Sequence, residues 1–233
     1  MNDLTIIYYT ANYLDDHNPY FLANTKRQLL KAVGDLPIIS VSQKPIDLGQ
    51  NICVGDTGRS HLNIYRQILI GAREAKTKYV AMAEDDILYS YEHFHEYVPQ
   101  ENRFAYDINK WQIFTWAAPP VFAYTHRRVV NSLIAKRDML VSALEERFDK
   151  FKDVPEENIP LKFWGDPGRY EKELGVSFRE TEEFTSKVPN IVFNHPEAFG
   201  YLKLGMRKRM GPEQVDSLPD WGTAEEILKL YRP

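Results

Sequence analysis

Three consecutive carboxylates, Glu84-Asp85-Asp86, follow directly on the apolar run Tyr79-Val80-Ala81-Met82-Ala83. Like charges this close repel and raise one another's pKa, so three acids at the end of a buried strand are costly to hold together. A bound divalent cation removes that cost. Mn²⁺ and Mg²⁺ take oxygen ligands and commonly bind through one or two carboxylates plus the phosphates of a substrate. On an extended stretch Glu84 and Asp86 point one way and Asp85 the other, which predicts a division of roles. The alternative for acids after a strand is a solvated turn or a helix cap.

Other residues with chemical potential lie further along. His195 follows the apolar run Val188 to Phe193 and precedes Pro196, a strand-end position from which a neutral imidazole can reach a metal. Arg207-Lys208-Arg209 stands between Gly205 and Gly211, as does a segment that orders over a diphosphate or an anionic acceptor; a solvated basic run reads the same way. Asp166 sits in Trp164-Gly165-Asp166-Pro167-Gly168-Arg169-Tyr170, a string that suits a sugar site and equally a tight turn.

These residues need a scaffold. Leu4 to Thr10 and Leu36 to Val41 read as strands, and between them Asn18-Pro19 caps a helix carrying Leu22, Leu29 and Val33 and closed by Gly34, a βαβ unit. Ser42 to Gly58 reads as polar turns. Ser60 caps a second helix with Leu62, Tyr65, Leu69 and Ala72 on one face, and Tyr79 to Ala83 is a third buried strand. Phe104 to Tyr106 and Trp111 to Ala117 follow as strands, then a long amphipathic helix from Thr125. Val176 to Phe178 and Ile191 to Phe193 are further strands, and Thr223-Ala224-Glu225-Glu226 is a capping box opening a last helix through Tyr231.

At 233 residues, 43% apolar and 27% charged, the chain can bury a sizeable core as a single domain. A net charge of −4 argues against a surface that grips nucleic acid throughout. Cys53 is the one cysteine, which excludes an internal disulfide and reads as a small buried residue. No run is long enough for stable membrane insertion, and the N-terminal residues lack the basic and apolar regions of a signal peptide, so the expected location is cytoplasmic.

The run Ile6-Ile7-Tyr8-Tyr9-Thr10, the turn Gly55-Asp56-Thr57-Gly58-Arg59-Ser60 and the strand ending in Glu84-Asp85-Asp86 together resemble the nucleotide-binding half of GT-A type glycosyltransferases of the compact bacterial or phage kind. The resemblance covers about the first 120 residues well and the rest loosely. Glutamate stands where the family's Asp-x-Asp motif has its first aspartate.

The resemblance implies an α/β fold, a Rossmann-like, mixed and mostly parallel sheet flanked by helices, in one domain over 1–233. Residues 1–120 would bind a nucleotide-diphosphate sugar, and 121–233, with the C-terminal helix, would form the acceptor side. It implies Asp86 as a metal ligand, with Glu84 sharing the ion or touching the ribose, and a late histidine, here His195, completing the Mn²⁺ or Mg²⁺ site. Thr10, Ala11, Asn12 and Tyr13 would line the base and ribose pocket, with Arg59, Asp85 and Arg207 also on the donor side. Transfer with inversion needs a carboxylate to deprotonate the acceptor hydroxyl, and Asp166 is the first choice, Glu171 the second. The acceptor, a glycan, metabolite, protein or hydroxymethylated DNA base, is not legible. A nucleotidyltransferase would carry a Gly-rich basic loop after the first strand, where Thr10 to Asp16 has neither. A non-catalytic carbohydrate- or nucleotide-binding module would leave the clustered acids unexplained.

Overall fold

The computed structural model describes residues 3–198 and 210–232. The elements in chain order are β1 (Leu4–Thr10), α1 (Tyr13–His17), α2 (Pro19–Val33), β2 (Ile38–Ser42), β3 (Gln50–Cys53), α3 (His61–Glu74), β4 (Tyr79–Ala83), β5 (Ile87–Leu88), α4 (Tyr91–His95), β6 (Arg103–Asp107), β7 (Lys110–Phe114), β8 (Phe122–Tyr124), β9 (Leu133–Lys136), α5 (Arg137–Lys150), α6 (Glu171–Leu174), β10 (Glu180–Phe184), β11 (Asn190–Asn194), β12 (Gln214–Val215), β13 (Ser217–Leu218), β14 (Gly222–Thr223) and α7 (Ala224–Leu228).

The main sheet has the order β10-β6-β9-β4-β1-β2-β3, parallel except for β9, which runs antiparallel to β4 and β6. β1 is buried along its whole length, as a strand covered on both faces must be. Its alternate side chains feed two cores. Ile7 and Tyr9 pack with Ile68 and Ala72 of α3 and Leu140 and Leu144 of α5, while Leu4, Ile6 and Tyr8 pack with Leu29 and Val33 of α2 and Phe94 of α4. The expected mixed, mostly parallel sheet flanked by helices is therefore the architecture.

A second sheet, β12-β8-β7-β11-β5, buries Ile113, Phe122 and Ile191 against Phe21 of α2 and Ile227 of α7. No helix among the described residues is long and apolar enough to cross a membrane.

The expected caps are all present. Asn18 accepts from the Phe21 amide with Pro19 opening α2, Ser60 accepts from the Asn63 amide, and Thr223 and Glu226 close a reciprocal capping box on α7. Elsewhere the structure corrects the expectations. The helix placed from Thr125 begins only at Arg137, because Leu133 to Lys136 is a central strand. Buried on both faces, its run Leu-Ile-Ala lacks the alternation that marks a half-exposed strand. β3 arises within the stretch read as turns. It is a four-residue edge strand with only Ile52 packed against the core, held by Asn51, whose side-chain amide donates to Ser40 and Ser42. Cys53, expected buried, ends that edge strand and is exposed. The strand expected over Val176 to Phe178 lies instead at Glu180–Phe184, the opposite edge, where three glutamates suppress any apolar pattern.

Candidate active site

Parallel pairing of β1 with β4 sets Tyr8 beside Ala83, so the carboxyl ends of both strands open at one place. The ligand crevice of an open α/β sheet lies there. A cavity of about 450 Å³ occupies this position, and its walls include Tyr9, Thr10, Tyr13, Arg59, the whole acidic triplet, Asn131, Asp166 and His195.

β4 ends at Ala83 and the chain turns at Asp85 and Asp86, so the alternation expected of an extended strand does not apply. All three carboxylates reach the cavity, each with its own partners. Tyr9 donates its hydroxyl to Glu84 at 2.7 Å and Asn131 its amide at 2.9 Å, while Thr10 donates to Asp85 at 2.6 Å. Burial, followed by the charge of Asp86, pushes the pKa of Glu84 well above its ordinary value and that of Asp85 up to about 6.

The turn after the triplet carries the chain into the second sheet, where β5 pairs with β11 and the Phe193 amide donates to the Asp86 carbonyl at 3.0 Å. That register brings His195, just past β11, to the triplet. Its Nε2 lies 3.5 Å from Asp86 Oδ2, and its Nδ1 is 3.0 Å from Glu197, which also accepts from the Tyr231 hydroxyl. With Nδ1–H donating to Glu197, Nε2 carries a lone pair. Burial alone would lower the His195 pKa, but Asp86 and Glu197 raise it on balance. Asp86 Oδ1 and His195 Nε2 have no hydrogen-bond partner among the described residues.

A carboxylate with one unpartnered oxygen, set 3.5 Å through its other oxygen from an unpartnered imidazole nitrogen, fits a divalent cation such as Mn²⁺. Among the described residues no group of three or more His, Cys, Asp or Glu could hold an ion. Hard cations commonly take one or two protein carboxylates and complete their shell with substrate phosphates and water.

No family model matches the chain, and no curated protein matches its sequence. Similar solved structures are glycosyltransferases. The apo form of glycosyltransferase GlyE from Streptococcus pneumoniae matches with a TM-score of 0.47 at 10% identity, over 78% of this chain and 46% of GlyE. A glycosyltransferase involved in glycosylation of the major capsid of PBCV-1 matches with 0.45 at 8% identity, over 81% of this chain and 92% of its own. Drosophila β1,4-galactosyltransferase 7, in complex with manganese, UDP-Gal and xylobiose, matches with 0.42 at 13% identity, over 91% and 83%. The chain spans less than half the length of GlyE.

Of the residues singled out in the sequence, Thr10, Ala11, Tyr13, Arg59, Glu84, Asp85, Asp86, Asp166 and His195 meet in this cavity. Arg59 lies over the Tyr13 ring at 3.7 Å and donates to the Glu197 carbonyl at 2.7 Å. Asn12 and Glu171 are not among the lining residues. Asn12, buried with a φ of 57°, accepts from the Gln43 and Lys44 amides and ties the β1 turn to the end of β2.

Glu171 is buried and paired with Arg147 of α5 at 2.8 Å. Arg147 also donates to the carbonyls of Phe163 and Gly165, and Glu171 accepts from the Gly168 amide, so this ion pair builds the turn that carries Asp166. Gly168, at φ +88°, leaves no room for a β-carbon against Thr181. Asp166 accepts from the Val130 amide at 2.6 Å; burial raises its pKa, against the opposing pull of that bond, Lys110 and Arg169. Arg207 lies outside the described residues, as do Lys203, Lys208 and Arg209.

Sequence reading missed Asn131, Glu197, Tyr231 and Arg147. Asn131 fell in a stretch taken for helix, and Glu197 had a signal only in its position two residues after the strand-end histidine.

Proposed function

We propose that the chain is a metal-dependent glycosyltransferase that moves a sugar from a nucleotide-diphosphate sugar to a hydroxyl acceptor. The observation that carries this reading is the meeting of Asp86 and His195, Nε2 lying 3.5 Å from Oδ2 while Nε2 and Asp86 Oδ1 have no hydrogen-bond partner among the described residues, in a cavity at the carboxyl ends of parallel strands.

In this reading Asp86 and His195 hold Mn²⁺ or Mg²⁺ together with the donor diphosphate. The cation supplies charge stabilisation for the departing nucleoside diphosphate. Glu197 fixes the His195 tautomer and orients its ring, the usual work of a carboxylate behind a metal-ligating histidine. Tyr13 and Arg59 form the donor-side rim, with the guanidinium placed for a phosphate or a sugar hydroxyl. Glu84, held by Tyr9 and Asn131, and Asp85, held by Thr10, are fixed in orientation for ribose or sugar hydroxyls.

The acceptor oxygen bonds to the anomeric carbon as the bond from that carbon to the diphosphate oxygen breaks. Asp166 takes the acceptor proton in an inverting displacement. Its raised pKa suits a general base better than an ordinary surface carboxylate would.

The test is a thermal-shift screen of uridine, guanosine and cytidine diphosphate sugars with and without Mn²⁺, since a ligand binding only the folded state raises apparent stability. A Mn²⁺-dependent shift that disappears in Asp86→Ala supports the reading. No shift with any donor, or one that survives Asp86→Ala, sinks it.

A further inference from the structure

Asp166 belongs to two cavities. Besides the donor cavity it lines a second of about 250 Å³, walled by Tyr106, His126, Arg127, Arg128, Arg169 and Glu183 among others, and Arg127 is common to both. Three guanidinium groups and an imidazole therefore face two carboxylates, Asp166 and Glu183. Glu183 is already engaged, accepting from Arg128 at 2.6 Å and lying 3.0 Å from His126 Nε2. Arg169 lies 3.9 Å from Asp166, with its guanidinium over the Tyr170 ring at 5.0 Å. Arg127 is exposed and makes no hydrogen bond or ion pair with the described residues.

We infer that this second cavity is the acceptor subsite and that it takes an acceptor bearing an anionic group, a phosphate or a carboxylate, near the hydroxyl that reacts. The inference rests on reading Asp166 as the base of a sugar transfer. Asp166 lines both cavities and the triplet only the first, so a hydroxyl that reaches Asp166 through the second brings the rest of its molecule into that cavity. Guanidinium forks bind planar carboxylates and phosphates in bidentate fashion, whereas a neutral sugar would gain little from a wall of cations. Arg127 and Arg169 are the side chains with donors to spare, while Arg128 is committed to Glu183 and Thr181.

The experiment is calorimetric titration with matched neutral and charged compounds in the absence of any nucleotide sugar: glycerol against glycerol 3-phosphate, glucose against glucose 6-phosphate, galactose against galacturonate. The charged member of at least one pair is expected to bind about tenfold tighter than its neutral partner, the strength of one or two charge-assisted hydrogen bonds. Added salt should weaken it. The double variant Arg127→Gln/Arg169→Gln should bring the two members of the pair within about twofold, and Arg127→Lys/Arg169→Lys should keep part of the preference.

A preference for the phosphates over galacturonate assigns a phosphorylated acceptor, and the reverse a carboxylated one. Equal binding within every pair, no binding of any compound, or a preference that persists in the glutamine double variant overturns the inference. Because no donor is present, failure of the donor screen with the anion preference intact would remove the transferase reading and leave the anion site standing.

Discussion

Each member of the triplet has its own partners at the level of single residues. Asp85 has a pKa of about 6 in the folded chain against an ordinary 3.8. A raised carboxyl pKa means the folded state holds its proton longer than the unfolded state. Its ionisation therefore costs stability as pH climbs through that window, and the cost stays in full above it. Asp85→Asn should accordingly match wild type near pH 4 and exceed it by about 1–2 kcal/mol at pH 8, with the full shift discounted for exposure to cavity water. Urea denaturation at the two pH values measures this, and a gap independent of pH would show the burial argument to be mistaken.

Glu197→Gln should weaken Mn²⁺ binding about 10–100-fold, the usual effect of removing a carboxylate behind a ligating histidine. Manganese titration followed by electron paramagnetic resonance reads this without any turnover assay. Asp166→Asn should lower kcat by about 10²–10⁴-fold while nucleotide-sugar binding stays intact, the split expected of a lost base. If Asp166 is the base, transfer by wild type should rise with pH through a pKa raised above the ordinary aspartate value, since a base must be ionised to act.

The elements decide how rigidly these residues are presented. The turn bearing Asp166 hangs on the buried Arg147–Glu171 pair, with both side chains almost fully excluded from solvent. Removing one partner leaves the other charge buried and unpaired, so Arg147→Met should cost about 3–5 kcal/mol, whereas a surface pair is worth about 1 or less. Hydrogen exchange should localise the loosening to residues 163–171. Replacing both partners with apolar residues of similar volume should recover much of that loss; if it does not, the Arg147 bonds to the Phe163 and Gly165 carbonyls matter more than the charges do.

α3 offers a contest of opposing magnitudes. Gly71→Ala gains up to about 1 kcal/mol in helix propensity. A β-carbon there would sit 2.6 Å from the Ile7 side chain in the middle of the sheet, and overpacking a core costs about 1–3 kcal/mol. Net destabilisation is expected, measured by thermal unfolding.

In the molecule as a whole, the site is a seam between two sheets. β4 delivers the triplet from the main sheet, and β11 delivers His195 from the second. The C-terminal segment closes the seam: Asn18, which caps α2, and Tyr20 and Asn24 within it donate to the carbonyls of Tyr231, Lys229 and Leu230, and this places the Tyr231 hydroxyl on Glu197. A ligand bridging the seam should stabilise both sheets together. At about a hundredfold excess over Kd, Mn²⁺ with its cognate nucleotide sugar should add about 2.7 kcal/mol, or roughly 5–10 °C in Tm for a chain of this size. Differential scanning calorimetry should show a single transition moving as one. A transition that splits on ligand addition would mean that the sheets unfold independently.

How far the sequence reads without the structure follows from the range of the forces involved. Caps, buried parallel strands and the triplet at a strand end are local signals, because a capping side chain reaches two or three residues and burial on both faces leaves a continuous apolar run. Hence Asn18, Ser60, Thr223, β1, β4 and the place of the triplet at a strand end were all legible. Edge strands β3 and β10 were not, since half their surface faces water and they carry no apolar pattern. Nor was β9, whose apolar residues fit a helix as well as a strand until β4 and β6 claim them. The contact of Asp86 with His195, the placing of Asn131 on Glu84, and the Arg147–Glu171 pair beneath the Asp166 turn span 24 to 109 positions in the chain. Contacts of that length are set by strand register and helix packing, which only the assembled sheets decide.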